Sequence, residues 1–227
     1  GAKFILTNAP VALRMGKINE LAAQTGSQVI GADATNLDDI NALLDAASEQ
    51  YGKLDFVLHS IGMSPNVRKN REYTNLNYAW LEKTYDISAV SFHKIMQTLF
   101  KRELMNDWGS ILALTYIAAQ RTFGKYNDMA EAKALLESIA RSFGYHFGHK
   151  NNVRVNTISQ SPTPTTAGTG GGGFDKMLYY SEQLSPLGNA TADEGANYCI
   201  MMFSDFTRRV TMQNLFHDGG FSSTGVT

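Results

Sequence analysis

Gln28-Val-Ile-Gly-Ala-Asp-Ala-Thr-Asn-Leu-Asp-Asp-Ile-Asn-Ala-Leu-Leu-Asp-Ala-Ala-Ser-Glu-Gln-Tyr-Gly-Lys-Leu-Asp-Phe-Val-Leu-His59 begins and ends on short, apolar, β-prone runs. Between them Ile40, Leu43, Leu44 and Ala47 recur at i, i+3, i+4 and i+7, the spacing of one helical face. A strand, a helix and a strand in this order make a βαβ unit, with parallel strands and a right-handed crossover. The pattern repeats outward. On the N-terminal side, Phe4 to Thr7 reads as a strand, and Ile18, Leu21, Ala22 and Thr25 as a second helical face. On the C-terminal side, Ser110 to Thr115, Val153 to Ile158 and Met212 to His217 read as strands. The alternation predicts an α/β chain with a doubly wound parallel sheet, helices on both faces, and ligands bound at the carboxyl edge.

The chain has 227 residues, 43% of them hydrophobic, which is enough for one large domain spanning 1–227. Formal net charge is −1 and no block of like charge occurs, so neither a nucleic-acid face nor a polybasic membrane anchor is indicated. Cys199 is the single cysteine and lies in an apolar stretch, which suits a buried thiol in a reducing cytoplasm. No apolar run approaches the roughly 18 residues of a spanning helix, and no basic signal peptide opens the chain. A soluble cytoplasmic protein is expected. His59, His93, His146, His149 and His217 show no ligand spacing, so no metal is expected.

Two features are irregular. A doubly wound nucleotide-binding sheet opens with a strand, a glycine-rich turn and a helix whose N-terminus holds the pyrophosphate. This chain starts on what reads as the second strand, so a first strand and helix of roughly 30 residues are expected to be missing from the front. The run Gly170 to Gly173 is no phosphate loop, because no strand leads directly into it and no Lys-Ser/Thr follows. It reads as a mobile segment, or as residues of other identity written as glycine.

Chemistry is concentrated in Tyr126-Asn-Asp-Met-Ala-Glu-Ala-Lys133. On a helix, residues seven apart share one face after two turns, so the phenol and the ammonium can enter one cleft. There the phenol would donate to an oxygen that becomes negative, and the lysine would grip ribose hydroxyls. Spacing alone does not separate this pair from a surface lysine beside a packed tyrosine. A further tyrosine, Tyr116, stands ten residues upstream at the end of the Ser110 strand.

The stretch Leu114 to Glu137 resembles the active-site segment of the bacterial enoyl-acyl-carrier-protein reductases, of the short-chain dehydrogenase superfamily. These carry a tyrosine after the strand, a second ten residues later and a lysine seven beyond it. Ordinary short-chain dehydrogenases place Tyr and Lys four apart and use an upstream serine. Leu58-His-Ser-Ile-Gly-Met-Ser-Pro65 is similar to the family's turn after the fourth strand, Val153 to Pro162 to its sixth strand and loop, and His217-Asp-Gly-Gly-Phe221 to its closing strand and turn.

The resemblance implies a Rossmann-type fold and reduction of the trans-2 double bond of enoyl-acyl-carrier-protein thioesters by NADH in fatty-acid synthesis. It implies Tyr126 on the thioester carbonyl, Lys133 on the nicotinamide ribose, and Tyr116 orienting the acyl chain or helping protonate the product. Tyr116 as a packed aromatic stays open. Asp33 and Ala34 would meet the adenosine, although a turn or N-cap aspartate is an equal reading. Ser60, Ile61, Gly62, Pro162, Thr163 and Thr165 would line the cofactor. Met63, Phe174 and Met177, with Tyr116 and Tyr126, would line the acyl pocket, the alternative for Phe174 and Met177 being ordinary helix packing. Residues 163–184 would form a lid over the substrate. Acyl carrier protein is the implied partner. A homotetramer is the implied assembly, built on the helix from Leu76 to about Leu104 and the helix after Tyr126, with apolar positions such as Ile95, Met96, Leu99 and Phe100 that could pack against symmetry mates.

The sequence departs from the family in two places. Ser159-Gln-Ser-Pro162 stands where many members have Ser-Ala-Gly-Pro. Thr7-Asn-Ala-Pro10 lacks the acidic residue that NAD-dependent relatives keep after the second strand, and Arg14 leaves NADPH open. A short-chain dehydrogenase acting on a ketone or alcohol is the alternative enzyme, and a nucleotide-binding scaffold acting through oligomer contacts is the alternative outside enzymes.

Overall fold

In the computed structural model the stretch at 28–59 folds as strand, helix and strand. Residues 1–14, 16–164 and 173–225 are described. The elements in chain order are β1 (Ile5–Asn8), α1 (Pro10–Leu13), α2 (Lys17–Thr25), β2 (Gln28–Gly31), α3 (Leu37–Tyr51), β3 (Leu54–His59), α4 (Pro65–Arg68), α5 (Tyr78–Tyr85), α6 (Ser91–Lys101), β4 (Met105–Thr115), α7 (Asp128–Asn151), β5 (Arg154–Gln160), α8 (Phe174–Leu184), α9 (Ala192–Phe203) and β6 (Asn214–His217). Every strand pair is parallel. The hydrogen bonds form two ladders, β1-β2 and β3-β4-β5-β6, where the sequence predicts one sheet.

Alternation along β4 builds both layers, because successive strand residues face opposite sides. Ile111 and Ala113 join Ile40, Leu44, Phe92, Met96, Leu99 and Leu136 in a core beneath α3, α6 and α7. Leu112 points the other way, to Ile158, Cys199 and Met202 under α9. Cys199 is therefore a buried free thiol, and burial raises its pKa. Asn36 starts α3 by accepting from the Asp38 and Asp39 amides, and Thr191 with Glu194 forms a capping box on α9. The face expected on α2 buries only Ala22, and Leu21 is exposed.

The long helix expected from Leu76 is present from Tyr78 to Lys101 and carries a π-helical bulge. This π-helical turn, Asp86–Val90, lies between α5 and α6. Met96 and Leu99 are fully buried, and Ile95 and Phe100 pack against the same core. Met96 and Leu99 therefore cannot supply the intersubunit surface expected of them, because the molecule's own core already covers them, whereas Ile95 and Phe100 are half-buried and keep part of their surface exposed. No helix among the described residues is long and apolar enough to cross a membrane.

Candidate active site

The parallel strands deliver their following loops to one edge, where a cavity of about 870 Å³ opens. Ser60, Ile61, Gly62 and Met63 line it from the loop after β3, Tyr116 from the end of β4, and Tyr126 and Lys133 from the segment entering α7. Pro162 and Thr163 line it after β5, and Phe174 and Met177 from α8. Asp33 and Ala34 follow β2 at the same edge but do not line the cavity. The Asp33 carboxylate holds a turn, accepting from the Thr35 amide and hydroxyl at 2.9 and 2.8 Å, and these bonds lower its pKa. Thr165 and Gly170 to Gly172 lie outside the described residues. Arg14 is exposed at the end of α1, away from the cavity.

Tyr126 does not share a helix with Lys133. The helix begins at Asp128, and Asn127 before it has φ +47° and ψ −136°. That kink leaves Tyr126 on a turn, its amide donating to the Phe123 carbonyl at 2.9 Å, and both residues still reach the cavity. The Tyr116 and Tyr126 rings meet at 5.3 Å between centroids, tilted by 54°. Burial holds both phenols well above the ordinary tyrosine range, so they are protonated donors at neutral pH. Among the described residues, the buried Tyr116 hydroxyl has no hydrogen-bond partner.

Lys133 is buried, and its Nζ donates to the Leu114 carbonyl at 2.7 Å. Burial pulls its pKa down to about 8, and the Glu137 carboxylate opposes that shift. Glu137 is held by Thr115 Oγ1 at 2.9 Å, Asn214 Nδ2 at 3.2 Å and Gln120 Nε2 at 3.4 Å. Gly62 faces this lysine. A Cβ there would stand 2.7 Å from Met129 Cε and 3.6 Å from Lys133 Nζ, so glycine keeps open the space beside the ammonium.

The sequence reading misses several lining residues. Phe123 packs on the Tyr116 ring at 5.3 Å, and Arg68, Lys125 and Tyr180 also line the cavity, as does Tyr179, which the sequence reading places in the apolar cover of the lid. Phe123 precedes Tyr126 by three residues and carried a local signal; the others belong to no motif. Gln160, noted as a departure, turns its amide against Gly195 of α9, where a Cβ would come within 2.7 Å of Nε2. Among the described residues, no group of three or more His, Cys, Asp or Glu side chains could hold a metal ion.

Residues 1–222 match the family described as Enoyl-(Acyl carrier protein) reductase. Enoyl-acyl-carrier-protein reductase (NADH) 1 of Rhizobium meliloti is 34% identical over 228 residues, an alignment covering 100% of this chain and 82% of that protein. The crystal structure of a FabI–NADH complex from Alistipes finegoldii superposes with a TM-score of 0.98 at 58% identity, covering 100% of this chain and 81% of that one. The enoyl-acyl-carrier-protein reductase (NADH) structure from Aquifex aeolicus gives 0.92 at 29% identity, covering 100% and 88%.

Proposed function

The chain belongs to the enoyl-acyl-carrier-protein reductase family, and from that premise we propose how its own residues carry the reaction. It is an oxidoreductase of fatty-acid synthesis that uses NADH to saturate the enoyl thioester carried by acyl carrier protein. This function supersedes the ketone or alcohol alternative. The observation that carries the site assignment is the convergence of Tyr126, Lys133, Gly62 and the unpartnered Tyr116 hydroxyl on one cavity.

NADH, when bound, supplies the hydride that adds to the β-carbon of the enoyl thioester. The space beside the Lys133 ammonium, kept open by Gly62, suits the nicotinamide ribose, with Ser60, Ile61, Pro162 and Thr163 around it. The Tyr126 phenol, protonated at neutral pH, donates to the thioester carbonyl and stabilises the oxygen as it gains enolate charge. Tyr116, with its hydroxyl free, orients the acyl chain or hands the α-carbon its proton. Phe174, Met177 and Met63 close the apolar side of the pocket. Asp33 and Ala34, at the same sheet edge, are left for the adenosine end.

The assay follows NADH absorbance with crotonyl thioester and, separately, with acetoacetyl thioester. Oxidation with the first alone is expected; oxidation with the second alone would overturn the reading. The same reading places the protein in the cytoplasm and assembles it as a homotetramer. Exposed apolar residues on and after α9 suit a subunit contact, with Ile200 65% and Phe206 96% exposed. Sedimentation that finds only monomer would reject the tetramer.

A further inference from the structure

The loop after β3 carries Ser60 to Gly62 between fixed points. At one end His59 Nε2 meets Ser91 Oγ at 3.0 Å; because Ser91 donates to the Ile87 carbonyl, it accepts from the imidazole. At the other end Ser88 Oγ accepts from the Met63 amide at 3.0 Å and donates to the Met63 carbonyl at 3.2 Å. Ser88 and Ser91 both belong to the region of the π-helical turn, so these ties hold the loop to its own side of the cavity. The turn itself packs on α7, and Tyr85 of α5 donates to Glu131 of α7, so these ties place the loop against that helix only indirectly.

The direct polar link from the loop to α7 runs through one carboxylate. Among the described residues, the side-chain hydrogen bonds that join 59–66 to α7 both end on Asp128: Ser64 Oγ donates to Oδ1 at 2.7 Å and Asn66 Nδ2 to Oδ2 at 2.8 Å. Thr84 Oγ1 of α5 lies 2.9 Å from Oδ2 and 2.8 Å from the Trp80 carbonyl, so its single hydrogen serves one acceptor at a time. Asp128, Asn66 and Thr84 are fully buried, and no cation among the described residues bonds the carboxylate. A buried carboxylate costs free energy that an apolar residue of similar size avoids. What it provides instead is a fixed geometry, two residues beyond Tyr126 and at the first position of α7. The flanking residues are tied to the adjacent stretch as well, Asn127 Nδ2 to the Arg71 carbonyl at 2.6 Å and Lys125 Nζ to Glu72 at 2.7 Å.

We propose that Asp128 is a positioning residue that sets the distance between the Ser60–Gly62 turn and the Tyr126 phenol, and so between hydride donor and thioester. The inference rests on the roles given above to that turn and to Tyr126.

The test is steady-state kinetics of Asp128→Asn with NADH and crotonyl thioester, repeated with NADH deuterated at the transferred position. Asparagine keeps the size and turns one acceptor into a donor that opposes its neighbours. The expected result is a kcat per folded site lower by about tenfold or more, with a larger isotope effect, because misplaced reactants slow the chemical step itself. A variant that merely folds less well would show fewer active sites and an unchanged isotope effect, and that result overturns the proposal. Should Asp128→Asn not fold, Ser64→Ala and Thr84→Val, which each remove one donor, are expected to lower kcat by smaller factors, and indifference in both overturns it. A wild type inert toward the thioester overturns the reading of the site and this proposal together. An active wild type with indifferent variants overturns the proposal alone.

Discussion

Lys133 Nζ donates to the Leu114 carbonyl at 2.7 Å, so the ammonium of α7 is docked on the end of β4, two residues before Tyr116. This bond fixes the direction of a flexible side chain and leaves its other hydrogens for a ligand in the cavity.

Lys133→Ala therefore removes both a ribose grip and a strut. The dissociation constant for NADH, read by fluorescence titration, is expected to rise about tenfold or more, since a hydrogen bond from a charged group is worth roughly 1.5–3 kcal/mol. Turnover should fall with it. An unchanged dissociation constant and rate would remove Lys133 from the site.

The two tyrosines should separate. Tyr126→Phe deletes the donor to the developing enolate, and kcat is expected to drop by about 10²-fold or more. Tyr116→Phe keeps the ring packing on Tyr126 and Phe123 and loses a hydroxyl that has no partner among the described residues, so its effect should be smaller and its stability unchanged. Equal kcat losses would mean that the roles assigned to the two phenols are wrong.

His59 sets an acid limit on stability. Burial first, then the nearby Lys133 charge, lowers its pKa from 6.5 to about 3. The unfolded chain thus binds a proton that the folded chain refuses between pH 6.5 and about 3, and stability falls as pH drops through that window. The loss is on the order of a few kcal/mol. Thermal unfolding from pH 7 to pH 4 should show a shallower acid decline in His59→Gln than in the wild type, and parallel curves would clear His59 of this role.

The region from 163 to 184 is read as a lid, and its described helix, α8, offers a clear probe. Phe174 and Met177 line the cavity, whereas Tyr179 and Tyr180 are more than half exposed. Ligand beneath this helix should add contacts to its first turns. Amide exchange of Phe174–Leu184 is expected to slow when NADH and a substrate analogue are added together. The same protection with and without ligand would make α8 ordinary packing.

The sequence by itself determined what depends on local pattern. The short, apolar, β-prone runs at 54–59, 110–115 and 153–158 became strands, because apolar runs of this length bounded by turns suit strands buried on both faces of a parallel sheet. The face Ile40, Leu44, Ala47 became the buried side of α3, because the helical period brings these residues to one side. The family, the Tyr116, Tyr126 and Lys133 set and the Gly62 turn were legible too, since they are motifs in fixed order. Tertiary structure alone decided the rest. Asn127 breaks the helix that the Tyr–Lys spacing suggests, a backbone choice made by its bond to the Arg71 carbonyl across the fold. Met96 and Leu99 look like interface residues in sequence, but hydropathy cannot tell a core layer from a subunit contact. The bonds from Ser64, Asn66 and Thr84 to Asp128 span 64, 62 and 44 residues, a separation at which pairing is fixed by packing geometry and leaves no local trace.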